Sequence, residues 1–198
     1  MSRRVSPLAG FQVTIIGRFW VTTEGTWTKI TTSRDTSRPK GNSCVWDSVR
    51  EQVTLERGQL HRLFPVYRPL LEKCAVTPPN DIELYAFAAI LHSFYNGIEN
   101  IFKRVTLELG DAMPGGESWH KDLLDSMTRP PGDRNSVLSP ELARRLKEYM
   151  EFRHVFRHAY TFNLRWDRLK TLVLGCEEAL QLVESELDRF FEPRTGGQ

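Results

Sequence analysis

The most regular feature of the chain is an apolar stripe with the 3.6-residue period of a helix. Asn80, followed three residues later by Glu83, predicts a capping box at the start of that helix, and Gly110 predicts its end. The apolar positions are Leu84, Phe87, Ala88, Leu91, Tyr95, Ile98, Phe102, Val105 and Leu109. This spacing predicts a long amphipathic helix with one face in a core.

Two shorter helical patterns flank this helix. Residues 55–74 have helical spacing, but Pro65 and Pro69 are expected to kink or split the segment, since proline removes a backbone donor. Residues 118–127 read SWHKDLLDSM, which predicts a short helix between two loops rich in proline and glycine. We expect its Trp119, Leu123 and Met127 to point inward.

Two further helices complete the pattern. Ser139-Pro140 combines an N-cap residue with proline at the first helical position, and apolar spacing continues from there to about Tyr160. Asp167 is expected to cap a last helix that runs to Phe190. The sum is an all-α fold, an antiparallel bundle of four or five helices within residues 53–192, followed by a flexible tail at 193–198.

The N-terminal extension, residues 1–52, has a different composition. FQVTIIGRFWVTTEGTWTKITT is rich in β-branched and aromatic residues, which predicts a hairpin about Glu24-Gly25. TSRDTSRPKGNS then has the composition of a polar linker. Because two short strands alone are marginally stable, we favour disorder over a hairpin for the extension and keep both interpretations.

Charge is distributed unevenly along the chain. Residues 1–52 carry eight Lys or Arg against four Asp or Glu, whereas residues 53–198 carry nineteen against twenty-one. A domain that binds nucleic acid through a broad field is expected to be basic, so any such activity here needs a local basic patch. Residues 144–170 supply one, with eight basic and three acidic side chains.

Cysteine usage and hydropathy bear on the compartment. Cys44, Cys74 and Cys176 are far apart and odd in number, which is typical of a reducing cytoplasm rather than of a disulfide framework. No apolar run has the ~20 residues of a membrane helix. Polar residues interrupt the mildly apolar N-terminus and no cleavage site follows, so we reject an export signal. We expect a cytoplasmic protein without a membrane partner.

The candidate chemistry lies in FRHVFRHAY, residues 152–160. At 100° per residue, Arg153 and Tyr160 fall within about 20° of each other and continue the buried line Leu142, Leu146, Tyr149. His158 lies about 140° around from Arg153, so the pair converges only if the helix unwinds or a second subunit completes the site. An arginine on a buried line is costly unless it is paired or opens onto a cleft.

Such a pair supports cleavage of an RNA phosphodiester without a metal ion. A neutral imidazole at His158 can take the proton of a ribose 2′-hydroxyl or return one to the leaving oxygen. The guanidinium of Arg153 can bind two phosphate oxygens and stabilise charge in the transition state. Within the surrounding basic patch, Arg157 and Arg165 are the candidate RNA-binding residues.

Simpler interpretations remain open. Basic residues are common at helix C-termini because they interact favourably with the helix dipole. His154 and His158 have the i, i+4 spacing of a metal pair, but no acidic or cysteine ligand has suitable spacing nearby, so we predict no metal site and no cofactor. The remaining histidines are isolated in sequence and are interpreted as structural or surface residues; they are His61, His92 and His120.

The run from Arg153 to Tyr160 fits the pattern Arg-x-x-x-x-His-x-Tyr near the end of a helix. Together with LYAFAAILHSFYNGIENIFKRV in the preceding long helix, it resembles the HepT-like branch of the HEPN superfamily, the ribonuclease toxins of type VII toxin–antitoxin modules. The resemblance covers about residues 54–192. His154 departs from the pattern, because many members have asparagine or a similar polar residue after the motif arginine.

This resemblance implies an endoribonuclease toxin that needs no metal and acts on cellular RNA, with tRNA as one target class. It implies a homodimer in which Arg153 and His158 of both subunits share one cleft, with Asn96 and Glu99 as possible lining residues. It also implies an MntA-like nucleotidyltransferase antitoxin that attaches AMP to Tyr160, where the added phosphates would block the cleft. The alternatives are a non-catalytic HEPN domain that binds a nucleotide or partner, and a plain helical interaction module.

Overall fold

The computed structural model describes residues 19–21, 27–29, 42–129, 135–158 and 164–192, with only the backbone of 19–21, 27–29, 42–47 and 158. The chain divides into two compact units, residues 1–39 and residues 40–198. In the first, strands β1 (Phe19–Val21) and β2 (Trp27–Lys29) pair antiparallel, with Trp20 opposite Thr28. This register is the one expected of a hairpin about Glu24-Gly25, two residues that lie outside the described ones.

The second unit is a bundle of helices, which confirms the predicted all-α class. In order they are α1 (Asn42–His61), α2 (Leu63–Val76), α3 (Asp81–Glu108), α4 (Trp119–Thr128), α5 (Pro140–His158) and α6 (Trp166–Phe191). A single residue in helical conformation, Arg62, separates α1 from α2. Pro65 lacks the N–H that would continue the hydrogen-bond ladder there, and Pro69 is accommodated within α2.

The start and end of α3 follow the predicted signals. The Asn80 side chain accepts from the Glu83 N–H at 3.0 Å, and Glu83 in return accepts from the Asn80 N–H at 3.0 Å. At the other end Gly110 has a φ of +77°, and the N–H groups of Gly110 and Asp111 bond the carbonyls of Leu107 and Thr106. These two bonds form a Schellman motif, which needs a residue without Cβ strain at the glycine position.

Helix α3 is the central element of the bundle. It packs against all five other helices, so that its apolar stripe lies in one core with residues of α1, α5 and α6. Contacts between aromatic rings stabilise this core. The ring centroids of Phe94 and Tyr149 are 5.1 Å apart, and those of Phe87 and Trp166 are 5.2 Å apart. The predicted core line of α5, Leu142, Leu146 and Tyr149, is buried here.

Helix α1 begins thirteen residues before the helical pattern was expected. The sequence assigned residues 42–52 to the N-terminal extension, whereas in the structure Val49 and Val53 are buried among the core residues. Among the residues of α1 whose side chains are described, Val49, Val53 and Leu60 belong to the core, and the residues between them are largely polar. The stripe skips the turn between Val53 and Leu60, where the positions that would continue it are Glu56 and Arg57, so the periodic signal is weak.

The cap assigned to α6 is a correction. The N-cap position is Arg165, which makes no side-chain capping bond, and Asp167 lies inside the first turn. There the Asp167 carboxylate accepts two bonds from the Arg165 guanidinium, at 3.1 and 3.0 Å, and this pairing lowers the pKa of the aspartic acid. An acidic residue in the first turn still interacts favourably with the helix dipole. Among the described residues, no helix is long and apolar enough to cross a membrane.

Candidate functional site

Arg153 lies on the core-facing line of α5 and is 9% exposed. Helical periodicity forces this placement, since Arg153 follows Leu142, Leu146 and Tyr149 on one side of the helix. A buried guanidinium is tolerated only when its charge is compensated and its donors are bonded. The side chains that meet this need come from two other helices, α3 and α4.

On α3 a polar stripe interrupts the otherwise apolar buried face. It comprises His92, Asn96, Glu99 and Lys103, at i, i+4, i+7 and i+11. The Nε–H of Arg153 donates to the Asn96 side-chain oxygen, and Nη2 of Arg153 lies 3.6 Å from Oε2 of Glu99. The two possible lining residues named from the sequence are therefore direct partners of Arg153.

Glu99 is a nearly fully buried carboxylate, with 2% of its side chain exposed. Besides Arg153 it receives Nζ of Lys103, at 3.2 Å from Oε2, and Nδ1 of His120 on Oε1. Three partners around one carboxylate satisfy most of its lone pairs, which is what makes burial of this charge tolerable.

The His120 ring bridges Glu99 and Arg153. Because a carboxylate only accepts, Nδ1 must carry the hydrogen, which leaves Nε2 as the acceptor of the ring. Nη1 of Arg153 lies 3.2 Å from Nε2 and 3.4 Å from Nδ1, so it faces both ring nitrogens, and only Nε2 can accept from it. Burial and the cations Arg153 and Lys103 lower the pKa of His120, against the opposite effect of its bond to Glu99. The imidazole is thus neutral at neutral pH, in the tautomer that its two partners require.

The cluster of Asn96, Glu99, Lys103, His120 and Arg153 is termed the arginine cluster below. With His120 neutral, it holds two cations against one anion and carries a net positive charge. Nζ of Lys103 also lies 4.6 Å from the ring centroid of Trp119, in the geometry of a cation–π contact. A buried site with surplus positive charge is suited to an anionic ligand such as phosphate.

His92 borders the cluster one turn before Asn96. Its ring lies 5.5 Å from that of Phe156, and its buried Nδ1 has no hydrogen-bond partner among the described residues. Burial, followed by the positive charges of Arg153 and Arg157, lowers the pKa of His92. A second neutral imidazole therefore lies beside the same guanidinium.

The other motif residues are described less fully. His158 is the last residue of α5, and the structure describes its backbone alone. Tyr160 lies outside the described residues. The roles assigned to this histidine and this tyrosine from the sequence therefore remain predictions.

The predicted basic patch is partly neutralised by local ion pairs. Arg165, expected to bind RNA, is held by Asp167, while Arg157 is exposed on the last turn of α5. Elsewhere in the patch Arg145 pairs with Glu178 at 2.7 Å, and Arg144 with Glu141 at 3.1 Å. Since exposed pairs of this kind exchange readily with water and salt, the cations stay available to a polyanion at a modest cost.

His120 is the site residue that sequence reasoning missed. In sequence it is an isolated histidine, like His92, and 33 positions separate His120 from Arg153. Only the packing of α4 against α3 and α5 brings the two side chains together. A usable signal existed on α3, where polar residues at helical spacing lie on a buried face and require partners.

In the described part of the chain, no group of three or more His, Cys, Asp or Glu side chains could hold a metal ion. The arrangement instead offers a buried arginine with spare N–H donors, a neutral imidazole and net positive charge. These are groups for binding an anion.

The fold and the arginine cluster together define an all-α bundle that buries a charge-compensated arginine under the last turn of its penultimate helix. A family model described as HepT-like protein matches residues 86–193, which is more than half of the chain. The chain belongs to this HepT-like family of the HEPN superfamily. The matched segment includes the whole arginine cluster. No curated protein and no solved structure shows significant similarity to the chain.

Proposed function

We propose that the chain is an endoribonuclease toxin that cleaves cellular RNA through Arg153 and His158. The observation that carries the proposal is the arginine cluster, a positively charged site buried in the segment that matches the HepT-like family. A solvated surface arginine would need no such support, whereas an arginine that binds phosphate benefits from being held in place.

In the proposed reaction the ribose 2′-oxygen attacks the adjacent phosphorus and the 5′-oxygen leaves. His158 takes the 2′-hydroxyl proton or returns one to the leaving oxygen, as a general base or acid. Arg153 binds the non-bridging oxygens, on which negative charge accumulates. Since side chains supply both the proton transfer and the charge stabilisation, the reaction needs no metal ion.

Helical geometry supports a homodimer as the active form. Positions 153 and 158 lie about 140° apart around one helix, so a shared cleft would let the histidine of each subunit approach the arginine of its partner. Arg157, exposed beside the cluster, and Arg165, after exchange of its Asp167 pair, would bind flanking phosphates. RNA is thus the substrate and a second copy of the chain is a required partner.

The proposal includes an antitoxin of the nucleotidyltransferase class that transfers AMP to Tyr160. Each AMP brings a phosphate to within two residues of His158, where it competes with RNA for the arginine cluster. The intact mass of protein co-expressed with such an enzyme should show AMP additions, which Tyr160→Phe removes.

The decisive experiment measures cleavage of total RNA by the purified dimer in the presence of EDTA. We expect cleavage by the unmodified chain and a loss of at least about 100-fold in His158→Ala, the usual size of a general acid–base contribution. Arg153→Ala should lose activity as well. An unmodified chain that leaves RNA intact, or a His158→Ala variant that cleaves equally well, would contradict the proposal.

One observation favours the non-catalytic alternative. The ion pair of Arg153 with Glu99 is also what an arginine with a purely structural role would need. A HEPN domain that only binds a nucleotide or partner would keep the arginine cluster and cleave no RNA. The EDTA experiment separates the two functions, because only the toxin loses an activity in His158→Ala.

A further inference from the structure

The three nitrogens of the Arg153 guanidinium have three different partners. Nε bonds Asn96, Nη2 faces Glu99 at 3.6 Å, and Nη1 lies against the His120 ring, 3.2 Å from Nε2 and 3.4 Å from Nδ1. A guanidinium has five N–H groups, so two remain after these contacts. One of these N–H groups is on Nη1 and the other is on Nη2, the two nitrogens with which arginine binds phosphate.

Of the three partners, His120 is the one that comes from a separate helix. Asn96 and Glu99 are fixed on α3, while His120 lies on α4 at the end of the segment that follows Gly110. The Trp119 ring lies 3.6 Å from the His120 ring, centroid to centroid, and the His120 side chain is 19% exposed. The imidazole is therefore held between α3 and α5 with little freedom to turn.

We infer that His120 is a positioning residue for Arg153, a role that rests on the proposed ribonuclease function. Its Nδ1–H, anchored on Glu99, fixes the ring, and Nε2 holds Nη1 of Arg153 so that the two spare N–H groups point at the RNA phosphate. His120 does not touch the reacting atoms. It determines the direction of the guanidinium, and a misplacement of about 1 Å can cost 100-fold in rate.

The arrangement also makes the site sensitive to acid. The charged groups that face His120 are Glu99 and Lys103 from α3 and Arg153 from α5. A protonated imidazole has no lone pair for Nη1 and adds a third cation to the cluster, so it repels Arg153. Protonation of His120 therefore releases the guanidinium. The rate of RNA cleavage decreases as the pH is lowered, for a reason separate from His158.

Glutamine is the informative replacement for His120. Its side-chain oxygen can accept from Nη1 of Arg153 much as Nε2 does, but it does not titrate. With a fluorescein-labelled RNA oligonucleotide, we expect His120→Ala to lower kcat by about 10- to 100-fold with less than about a threefold change in KM. His120→Gln should keep kcat within about threefold near neutral pH. In this variant kcat should decrease less at acid pH than in the unmodified chain. The control His61→Ala, whose ring pairs with Glu184, should keep full activity.

Nitrogen-15 NMR tests the positioning role without RNA. In the unmodified chain we expect His120 in the Nδ1–H tautomer and a slowly exchanging Arg153 side chain whose resolved signal disappears in His120→Ala and persists in His120→Gln. The opposite tautomer, or an Arg153 signal indifferent to both variants, overturns the inference. Equal kcat in the alanine and glutamine variants, whether retained or lost, overturns it as well.

The two readouts separate this inference from the proposed function. A chain that cleaves no RNA but shows the expected NMR pattern refutes the ribonuclease and leaves His120 as the residue that positions Arg153. An active chain whose His120→Ala variant keeps full kcat refutes the positioning role alone. Should His120→Ala fail to fold, the tautomer in the unmodified chain and the His120→Gln profile still decide.

Discussion

A single buried carboxylate, Glu99, makes the arginine cluster possible. Removal of one partner from a buried ion pair is expensive, because the charge left behind has neither water nor a counter-ion. Glu99 has three such partners, and Arg153 depends on it as the only acidic group the structure places against its guanidinium among the described residues. The charged and polar residues of the site therefore depend on one another, because each replaces water that burial removes from its neighbours.

The two buried imidazoles should make folding stability depend on pH. The pKa values of His120 and His92 lie below the ordinary value of 6.5, so in acid the unfolded chain binds protons that the folded chain excludes. The contribution of these two histidines to the free energy of unfolding is fully present above about pH 6.5 and is lost as the pH falls through their pKa values in the folded chain. We expect the free energy of unfolding in urea to fall between pH 7.5 and 5.5, and the fall to be smaller in His120→Gln.

The comparison concerns the change with pH rather than stability at one pH, so a general packing loss in the variant cancels. Replacement of both His92 and His120 by glutamine should flatten the profile further. An unaltered pH dependence in the double variant would mean that neither imidazole is held neutral by the fold.

At the scale of elements, Gly97 lets α1 approach α3. A Cβ at this position would lie 2.5 Å from Cδ2 of Leu60, a core residue of α1, and 2.9 Å from its Cγ. The contact therefore needs a residue without a side chain in the middle of a helix, where glycine costs about 1 kcal/mol relative to alanine. Close packing here outweighs the intrinsic preference of the helix.

We expect Gly97→Ala to destabilise the protein by about 1–2 kcal/mol in urea denaturation, because Leu60 must leave its position. The matched control is Gly58→Ala on α1, where an added Cβ meets nothing within 4 Å, and which should stabilise by about 0.5–1 kcal/mol through helix propensity. In a Leu60→Ala background the Gly97→Ala penalty should shrink. Gains of equal size from both glycine variants would show that the helices do not approach so closely.

Local signals predicted the elements unevenly. The capping box of Asn80 and Glu83 and the glycine at 110 could be read directly, because capping bonds join residues a few positions apart. The extent of α1 could not, since its buried residues Val49 and Val53 become core residues only when α1 packs against other helices, chiefly α3. A helix mostly polar in sequence needs its neighbours in order to be recognised.

At the scale of the whole molecule, the two compact units suggest where the chain can be shortened. We expect residues 40–198 to unfold cooperatively at nearly the melting temperature of the full chain, measured by circular dichroism. Residues 53–198, the domain drawn from the sequence, lack Val49 and the bond from Arg50 to the Phe191 carbonyl. Their melting temperature should be lower by at least about 5 °C, from the loss of a buried valine and its surroundings.

The second truncation is the control for the first. Equal stability of the two truncated chains would mean that the first turns of α1 contribute nothing to the core. If the melting temperature of residues 40–198 were much lower than that of the full chain, residues 1–39 would have a stabilising role.

The sequence by itself determined the all-α class, the caps of α3, the buried line of α5 and the presence of an arginine on that line. These features depend on periodicity and on contacts within a few residues, which a linear pattern records. Only the tertiary structure decided which side chains compensate Arg153, and it added His120 from 33 positions away. The reason is physical: a buried charge must be paired, but the pairing partner is set by which helices pack together, and no local pattern carries that information.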